Sequence, residues 1–211
     1  MEEPDLKLYA APRTRSTRVL WALEEAGAEY EYVKINLFQG EGRRPPYIDL
    51  NPAGKVPALQ DGDSLLTESG AICLHLADKY PDSGLLPAVG DPARAQAYRW
   101  SFFATGELEQ PLWTRFKHQV ALPPKVRVEG MEETCDWEFR VAMKVLAKGL
   151  GEQEYLAGDV FSVADILVGH TLLWAKFFGL SWEHENVDAY LARLTQRPAF
   201  SRVRAVEKEH S

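Results

Sequence analysis

The sequence predicts an α/β domain followed by an all-helical domain. Three observations carry that expectation. Short runs of period two alternate with a 3.6-residue period as far as Tyr80. Pro81, Gly84, Pro87, Gly90 and Pro92 then interrupt every pattern. From Ala93 onward only helical periodicity remains. The boundaries are set at 1–82, a linker at 83–92, and 93–211.

Each element follows from local chemistry. Leu6-Lys7-Leu8-Tyr9 is a short strand, and Pro12 to Ser16 a loop. Thr17 to Ala26 is helical, with Val19, Leu20, Leu23 and Ala26 on one stripe and Gly27 as its stop. Tyr30 to Leu37 alternates, which fits a second strand parallel to the first across a right-handed crossover. One helical turn is expected after Pro45-Pro46. Val56–Gln60 and Ser64–Leu66 flank Asp61-Gly62, a hairpin signal. A helix bearing Ile72, Cys73, Leu76, Ala77 and Tyr80 closes the order β-α-β-α-β-β-α. In the second domain, helices are expected over Ala93–Val120, Val126–Leu150, from Ser162, over Val187–Thr195 and over Ala199–Lys208. Ser162-Val163-Ala164-Asp165 matches a capping box and is assigned to folding.

Composition narrows the function. With 211 residues, 45% apolar, 11% aromatic and six tryptophans, the chain can bury a substantial core. A net charge of −7 argues against a nucleic-acid partner, which demands clustered Lys and Arg. No apolar run approaches the roughly 18 residues of a membrane span, so no membrane partner is expected. Met1-Glu2-Glu3-Pro4-Asp5 lacks the apolar stretch of a secretory leader, and the expected location is cytoplasmic. Cys73 and Cys135 are far apart and read as reduced thiols, Cys73 in the core. The five histidines show no ligand spacing, and no metal is expected.

The most informative stretch is Asn51-Pro52-Ala53-Gly54-Lys55-Val56-Pro57-Ala58-Leu59 with Thr67-Glu68-Ser69-Gly70 after it. Pro57 lies inside a strand, where it cannot donate to a ladder. A cis Val56-Pro57 bond is the economical explanation. It turns the Val56 N–H and C=O toward an extended guest peptide. Glu68-Ser69 opens a helix, whose free N–H groups and positive dipole end hold a carboxylate. Together these suit a small anionic peptide.

These motifs, with Phe161-Ser162-Val163-Ala164-Asp165-Ile166, resemble the cytosolic glutathione transferases over essentially the whole chain. Pro12-Arg13-Thr14-Arg15-Ser16 with Arg18-Val19-Leu20-Trp21 is most similar to a microbial subgroup carrying Pro-Arg-Ser-Arg-Ser before the first helix. The resemblance implies a thioredoxin-like N-terminal domain, an all-α C-terminal domain and a homodimer. It implies glutathione as co-substrate and a small hydrophobic electrophile near the interdomain cleft. It implies conjugation by a glutathione S-transferase, with glutathione peroxidase activity on organic peroxides at its side. The alternative is a non-catalytic binding or regulatory protein on the same scaffold. Disulfide exchange ranks last, because the loop lacks a cysteine.

By resemblance, Val56 pairs with the cysteinyl residue of glutathione and Pro57 fixes that geometry. Glu68 meets the ammonium, Ser69 the γ-glutamyl carboxylate, and Lys55 lies near the glycyl carboxylate. The bland alternatives are a solvated Lys55, a Glu68 that only complements the helix dipole, and a trans edge-strand Pro57. Trp100, Phe103, Trp113 and Phe116 are candidate walls of the electrophile pocket, although aromatics at helical spacing are as often core.

Thiol activation is the less defined part. A thiol of pKa about 8.5 needs roughly 2.7 kcal/mol of differential stabilisation to fall by about two units. A hydroxyl and a helix N-terminus can supply it. The family places Tyr, Ser or Cys after the first strand, and here the loop offers Thr14, Arg13 and Ser16. Counting forward from Pro12 selects Thr14; counting back from Val19 selects Arg13. Thr14 is preferred, with Arg13 and Ser16 in reserve, and Tyr9 is read as core. Arg13, Arg15 and Arg18 at a helix start oppose its dipole, so an anion is expected beside them. That anion is a bound thiolate or carboxylate, unless the arginines pair with surface acids or sit at a dimer seam.

Overall fold

The computed structural model describes residues 5–211; the acidic segment 1–4, read above as no leader, lies outside the described residues. The first unit is built on a four-stranded mixed sheet. Its strands are β1 (Leu6–Ala10), β2 (Glu31–Lys34), β3 (Ala58–Asp61) and β4 (Ser64–Thr67), in the order β2-β1-β3-β4. β1 runs parallel to β2 and antiparallel to β3, and β3 runs antiparallel to β4. Helix α1 (Ser16–Ala26) makes the crossover, α2 (Tyr47–Leu50) is a single turn, and α3 (Ser69–Lys79) follows β4. This is the expected β-α-β-α-β-β-α order of a thioredoxin-like domain.

Alternation along β1 sorts the core. Leu6, Leu8 and Ala10 are buried with Val19, Leu20, Leu23, Ile72 and Leu76 from α1 and α3. Tyr9 faces the other way and joins Ala11, Ile35, Tyr47, Val56 and Ala58 in a smaller cluster. Gly27 ends α1 at φ 62°, where its N–H reaches Leu23 O. Two strands are shorter than their sequence patterns. β2 stops at Lys34, leaving Leu37 exposed, and β3 begins at Ala58 rather than Val56.

The second unit is helical: α4 (Pro92–Phe103), α5 (Glu109–Phe116), α6 (Met131–Leu150), α7 (Val163–Phe177) and α8 (Glu185–Thr195). The long expected helix from Ala93 is interrupted by widened turns at Ala104–Leu108 and Lys117–Ala121. Pro111 has no N–H for the carbonyl four residues back and its ring crowds that carbonyl, so the first widened turn sits just before it. The second expected helix starts at Met131, not Val126. Pro124–Val126 is one tight turn, and Gly130 at φ 74° breaks the chain before the helix. Residues Val163 to Leu172 of α7 are buried on every side. The capping box forms as expected: the Asp165 carboxylate accepts the Ser162 N–H at 2.8 Å, the Leu156 N–H at 3.0 Å and the Tyr190 hydroxyl at 2.8 Å. Burial raises the Asp165 carboxyl above the usual range despite these donors.

Compactness divides the chain differently from the sequence-based boundaries. One unit runs to Leu86 and takes back Thr195–Ser211; the other is Pro87–Leu194. The last helix, α9 (Pro198–Glu209), packs on α1. Phe200 lies 4.6 Å from Trp21 between ring centroids, and the Arg197 guanidinium grips both carboxylate oxygens of Glu25 at 2.6 and 2.8 Å. The domain of sequence 93–211 therefore gives up its last helix to the sheet unit.

Candidate functional site

Register brings the sequence-flagged segments to one end of the sheet. Tyr9 pairs with Ala58, and Ala58 with Thr67. Moving past Ala10, back from Ala58 and on from Thr67 leads off the same edge. The loop 11–16, the 55–57 segment and the Glu68–Ser69 corner all emerge there. Among the described residues, Arg13 and Glu68 are the non-glycines with positive φ, at 58° and 66°. Both stand at this end. Such backbone costs on the order of 1–3 kcal/mol and marks functional corners.

The loop after β1 is tied to itself and to α9. The Thr14 hydroxyl donates to Ala11 O at 2.7 Å, and a 3.0 Å hydrogen bond joins it to the Ser16 hydroxyl. Thr14 Oγ1 accepts the Ser16 N–H at 3.1 Å, and Ser16 Oγ accepts the Ala11 N–H at 3.3 Å. Thr14 is half-buried and Ser16 buried, while Arg13 is exposed. A buried carboxylate from α9, Glu207, reaches this loop, but through a main-chain N–H and a hydroxyl rather than an arginine side chain. Its Oε1 accepts the Arg13 N–H at 2.9 Å and the Thr17 hydroxyl at 2.5 Å. No sequence signal near the loop announces a partner 190 positions away. Arg18 is almost wholly buried and donates from Nη1 to Ser69 Oγ at 3.3 Å. The Cys73 thiol donates to Arg18 O at 3.5 Å; burial pushes that thiol up to about 12, and Arg18 pulls the other way.

The Asn51–Pro57 segment is held by its backbone. Lys55 O accepts the Tyr47 hydroxyl at 2.5 Å and Asn51 Nδ2 at 2.7 Å. Gly54, at φ 61°, passes Gly42 so closely that a Cβ on either would meet the other's carbonyl oxygen at 2.6 and 2.8 Å. Glycine is required at both. The Val56-Pro57 bond is cis, as is Pro45-Pro46, which the sequence did not suggest. The ladder starts at Ala58, so Val56 lies ahead of the paired stretch. Lys55 projects to solvent, and Pro57 is buried.

At the third segment Glu68 precedes α3 with its side chain exposed, and Ser69 is buried at the first helical position. A main chain outside the ladder at Val56, a carboxylate and a serine at a helix start can bind an extended ligand carrying both an ammonium and a carboxylate.

The four aromatics read as one pocket fall into two groups in the helical unit. Trp100 and Phe103 meet edge to face at 5.2 Å, with Trp100 buried against Gly149. Trp113 stacks on Phe116 at 5.8 Å. Phe116 then approaches Trp174 at 6.4 Å and Phe178 at 6.3 Å. Trp174 and Phe178, four residues apart near the end of α7, join this second group and were not named from the sequence. Tyr9, read as core, is half-buried, 5.9 Å from Tyr47, and donates its hydroxyl to Gln60 Oε1 at 3.2 Å. Among the described residues there is no cluster of three or more His, Cys, Asp or Glu that could hold a metal ion. None of their helices is long and apolar enough to cross a membrane.

Known proteins match along the whole chain. The glutathione S-transferase N-terminal domain model covers residues 4–78 and the C-terminal domain model residues 110–198. Glutathione S-transferase F13 of Arabidopsis thaliana is 34% identical over 208 residues, 94% of each chain. The structure of a glutathione transferase from Methylococcus capsulatus is 28% identical, with a TM-score of 0.87 over 96% of this chain and 98% of that one. That of a sphingomonad glutathione S-transferase, complexed with glutathione, is 31% identical, with a TM-score of 0.84 over 96% and 98%.

Proposed function

The chain belongs to the glutathione S-transferase family, and from that premise we propose that it binds glutathione, stabilises its thiolate and conjugates it to a small hydrophobic electrophile. One observation carries this reading. The loop 11–16, the Val56 main chain ahead of the ladder and the strained Glu68–Ser69 corner converge at one end of the sheet. The Val56 main chain pairs with the cysteinyl residue of glutathione, beside Pro57. Glu68 meets the ammonium, Ser69 the γ-glutamyl carboxylate, and Lys55 the glycyl carboxylate. Arg18 holds the Ser69 hydroxyl in place.

The chemistry then follows from the loop. The bound thiol loses its proton to water, and the thiolate is stabilised by the N-terminal end of α1 and a hydroxyl. Thr14 is that donor once its proton turns from Ala11 O toward sulfur. Ser16 relays to Thr14, and Arg13 is the competing assignment. The sulfur lone pair attacks the electrophilic carbon, a C–S bond forms, and the leaving group departs with its bonding pair. Organic peroxides are proposed as second substrates. Sulfur takes one oxygen as the O–O bond breaks, the alkoxide leaves as an alcohol, and a second glutathione reduces the sulfenic acid to disulfide and water. Trp113 and Phe116 are proposed walls of the electrophile pocket; Trp100 and Phe103 are better explained as core.

The finer assignments rest on resemblance. The Pro12–Ser16 loop supports placement with the microbial subgroup. Exposed Phe38 and Phe102 support a homodimer, and two buried free thiols support a reducing, cytoplasmic setting.

Glu68→Ala with Ser69→Ala is expected to weaken glutathione binding about tenfold or more, roughly 1.4 kcal/mol, in calorimetry. Unchanged affinity would remove the site. Thr14→Ala is expected to raise the apparent pKa of the bound thiol and to slow conjugation of a chloronitrobenzene. If Arg13→Ala does this and Thr14→Ala does not, Arg13 takes the role. Glutathione binding with thiolate ultraviolet absorbance that rises only near the free thiol's pKa of about 8.5 would make the protein the non-catalytic alternative.

A further inference from the structure

We propose that Glu207 is a positioning residue for the thiolate chemistry: its carboxylate clamps the loop that presents Thr14, through the Arg13 N–H and the Thr17 hydroxyl. The inference rests on the glutathione transferase reading above.

A buried carboxylate needs donors, and Glu207 finds them on both flanks of Thr14. One is the main-chain N–H of Arg13, in a left-handed conformation that an unsupported arginine rarely adopts. The other belongs to Thr17, in the first turn of α1. The loop is thereby pinned one residue before Thr14 and three residues after it, while its inner hydrogen bonds fix the hydroxyl between Ala11 O and Ser16. Other groups face the same carboxylate. Arg204 stands 3.9 Å away on α9, and Tyr32 approaches from β2 with its ring on His210.

Position and charge act in opposite directions here. A negative charge beside the start of α1 competes with a bound thiolate for the same positive potential. A carboxylate kept there despite this earns its place through geometry. The amide of glutamine keeps the acceptor oxygen and drops the charge, so Glu207→Gln and Glu207→Ala separate the two effects.

The test measures kcat, KM for glutathione and the pH profile of thiolate absorbance on the full chain, for the unmodified protein and both variants. Glu207→Ala is expected to lower kcat about tenfold or more, to keep KM within about twofold, and to raise the bound thiol's apparent pKa. Glu207→Gln is expected to restore most of kcat and to place the thiol's pKa at or below that of the unmodified protein. Glu207→Ala with unchanged kcat and pH profile overturns the proposal and leaves the transferase reading standing. So does a Glu207→Gln variant as slow as Glu207→Ala. If the unmodified protein neither binds glutathione nor forms its thiolate, both readings fall. Should Glu207→Ala not fold, Thr17→Val removes one donor and keeps the carboxylate. A lower kcat there supports the clamp, and unmodified kinetics overturn it.

Discussion

Glu68 and Arg13 hold backbone angles that a side chain resists, and each is kept there by a neighbour. Glu68 O accepts the Ile72 N–H at 2.9 Å as α3 begins, and the Arg13 N–H is taken by Glu207. Gly149 obeys the opposite constraint: it lacks a side chain because the Trp100 ring fills the space, and a Cβ would meet that ring at 2.3 Å. Gly149→Ala is therefore expected to destabilise the protein by about 1–3 kcal/mol, even though alanine is the better helix former by about 1 kcal/mol. A thermal melt that rises would refute the contact. At this scale the Val56-Pro57 bond was legible, because proline inside a strand pattern needs a special linkage. Glu207 was not, because a single acid on an amphipathic helix carries no mark of the loop that it touches.

The hairpin β3–β4 and helix α3 are joined at Asp61, whose carboxylate bonds Lys79 Nζ and lies 2.7 Å from His75 Nε2. Burial alone would raise Asp61, but these two partners outweigh it and hold the carboxyl below its usual range. A depressed native pKa supplies stability that is whole above the unfolded value of about 3.9 and is lost as pH falls through the lower native one. Asp61→Asn should flatten the acid limb of a stability–pH curve. Near neutrality it should cost under about 1 kcal/mol, because the partners are part-exposed. An unchanged acid limb would remove this tie. Elements were legible where periodicity and breakers agreed, as for α1, α3, α7 and the hairpin. Their ends were not. The alternation through Leu37 outlasts β2, because residues past Lys34 have no ladder partner in β1 beyond the Ile35 N–H bond to Ala10 O. The widened turns on either side of Pro111 keep the chain helical, so a choice between helix and strand periods does not resolve them.

The two-unit organisation was legible from the breakers at 81–92, but membership of the last helix was not. An amphipathic helix states that it packs, not on what. Its buried face, Ala199, Phe200 and Val203, belongs with Trp21 of the sheet unit. Burying a phenylalanine and a valine contributes on the order of 3–6 kcal/mol, comparable with the roughly 5–15 kcal/mol that holds a whole protein folded. A chain ending at Gln196 is expected to melt far lower and to leave Trp21 open to a collisional quencher. Retention of the full melting temperature would show that α9 is dispensable.

The sheet unit is thus a discontinuous one, with the helical unit inserted before its closing piece. On the ribosome, strands and α1 emerge early, yet the Trp21 face waits uncovered until every residue of the helical unit has been translated. For that interval a nascent chain displays an oily patch that a chaperone would recognise, and a stop codon shortly before Pro198 would leave it displayed for good.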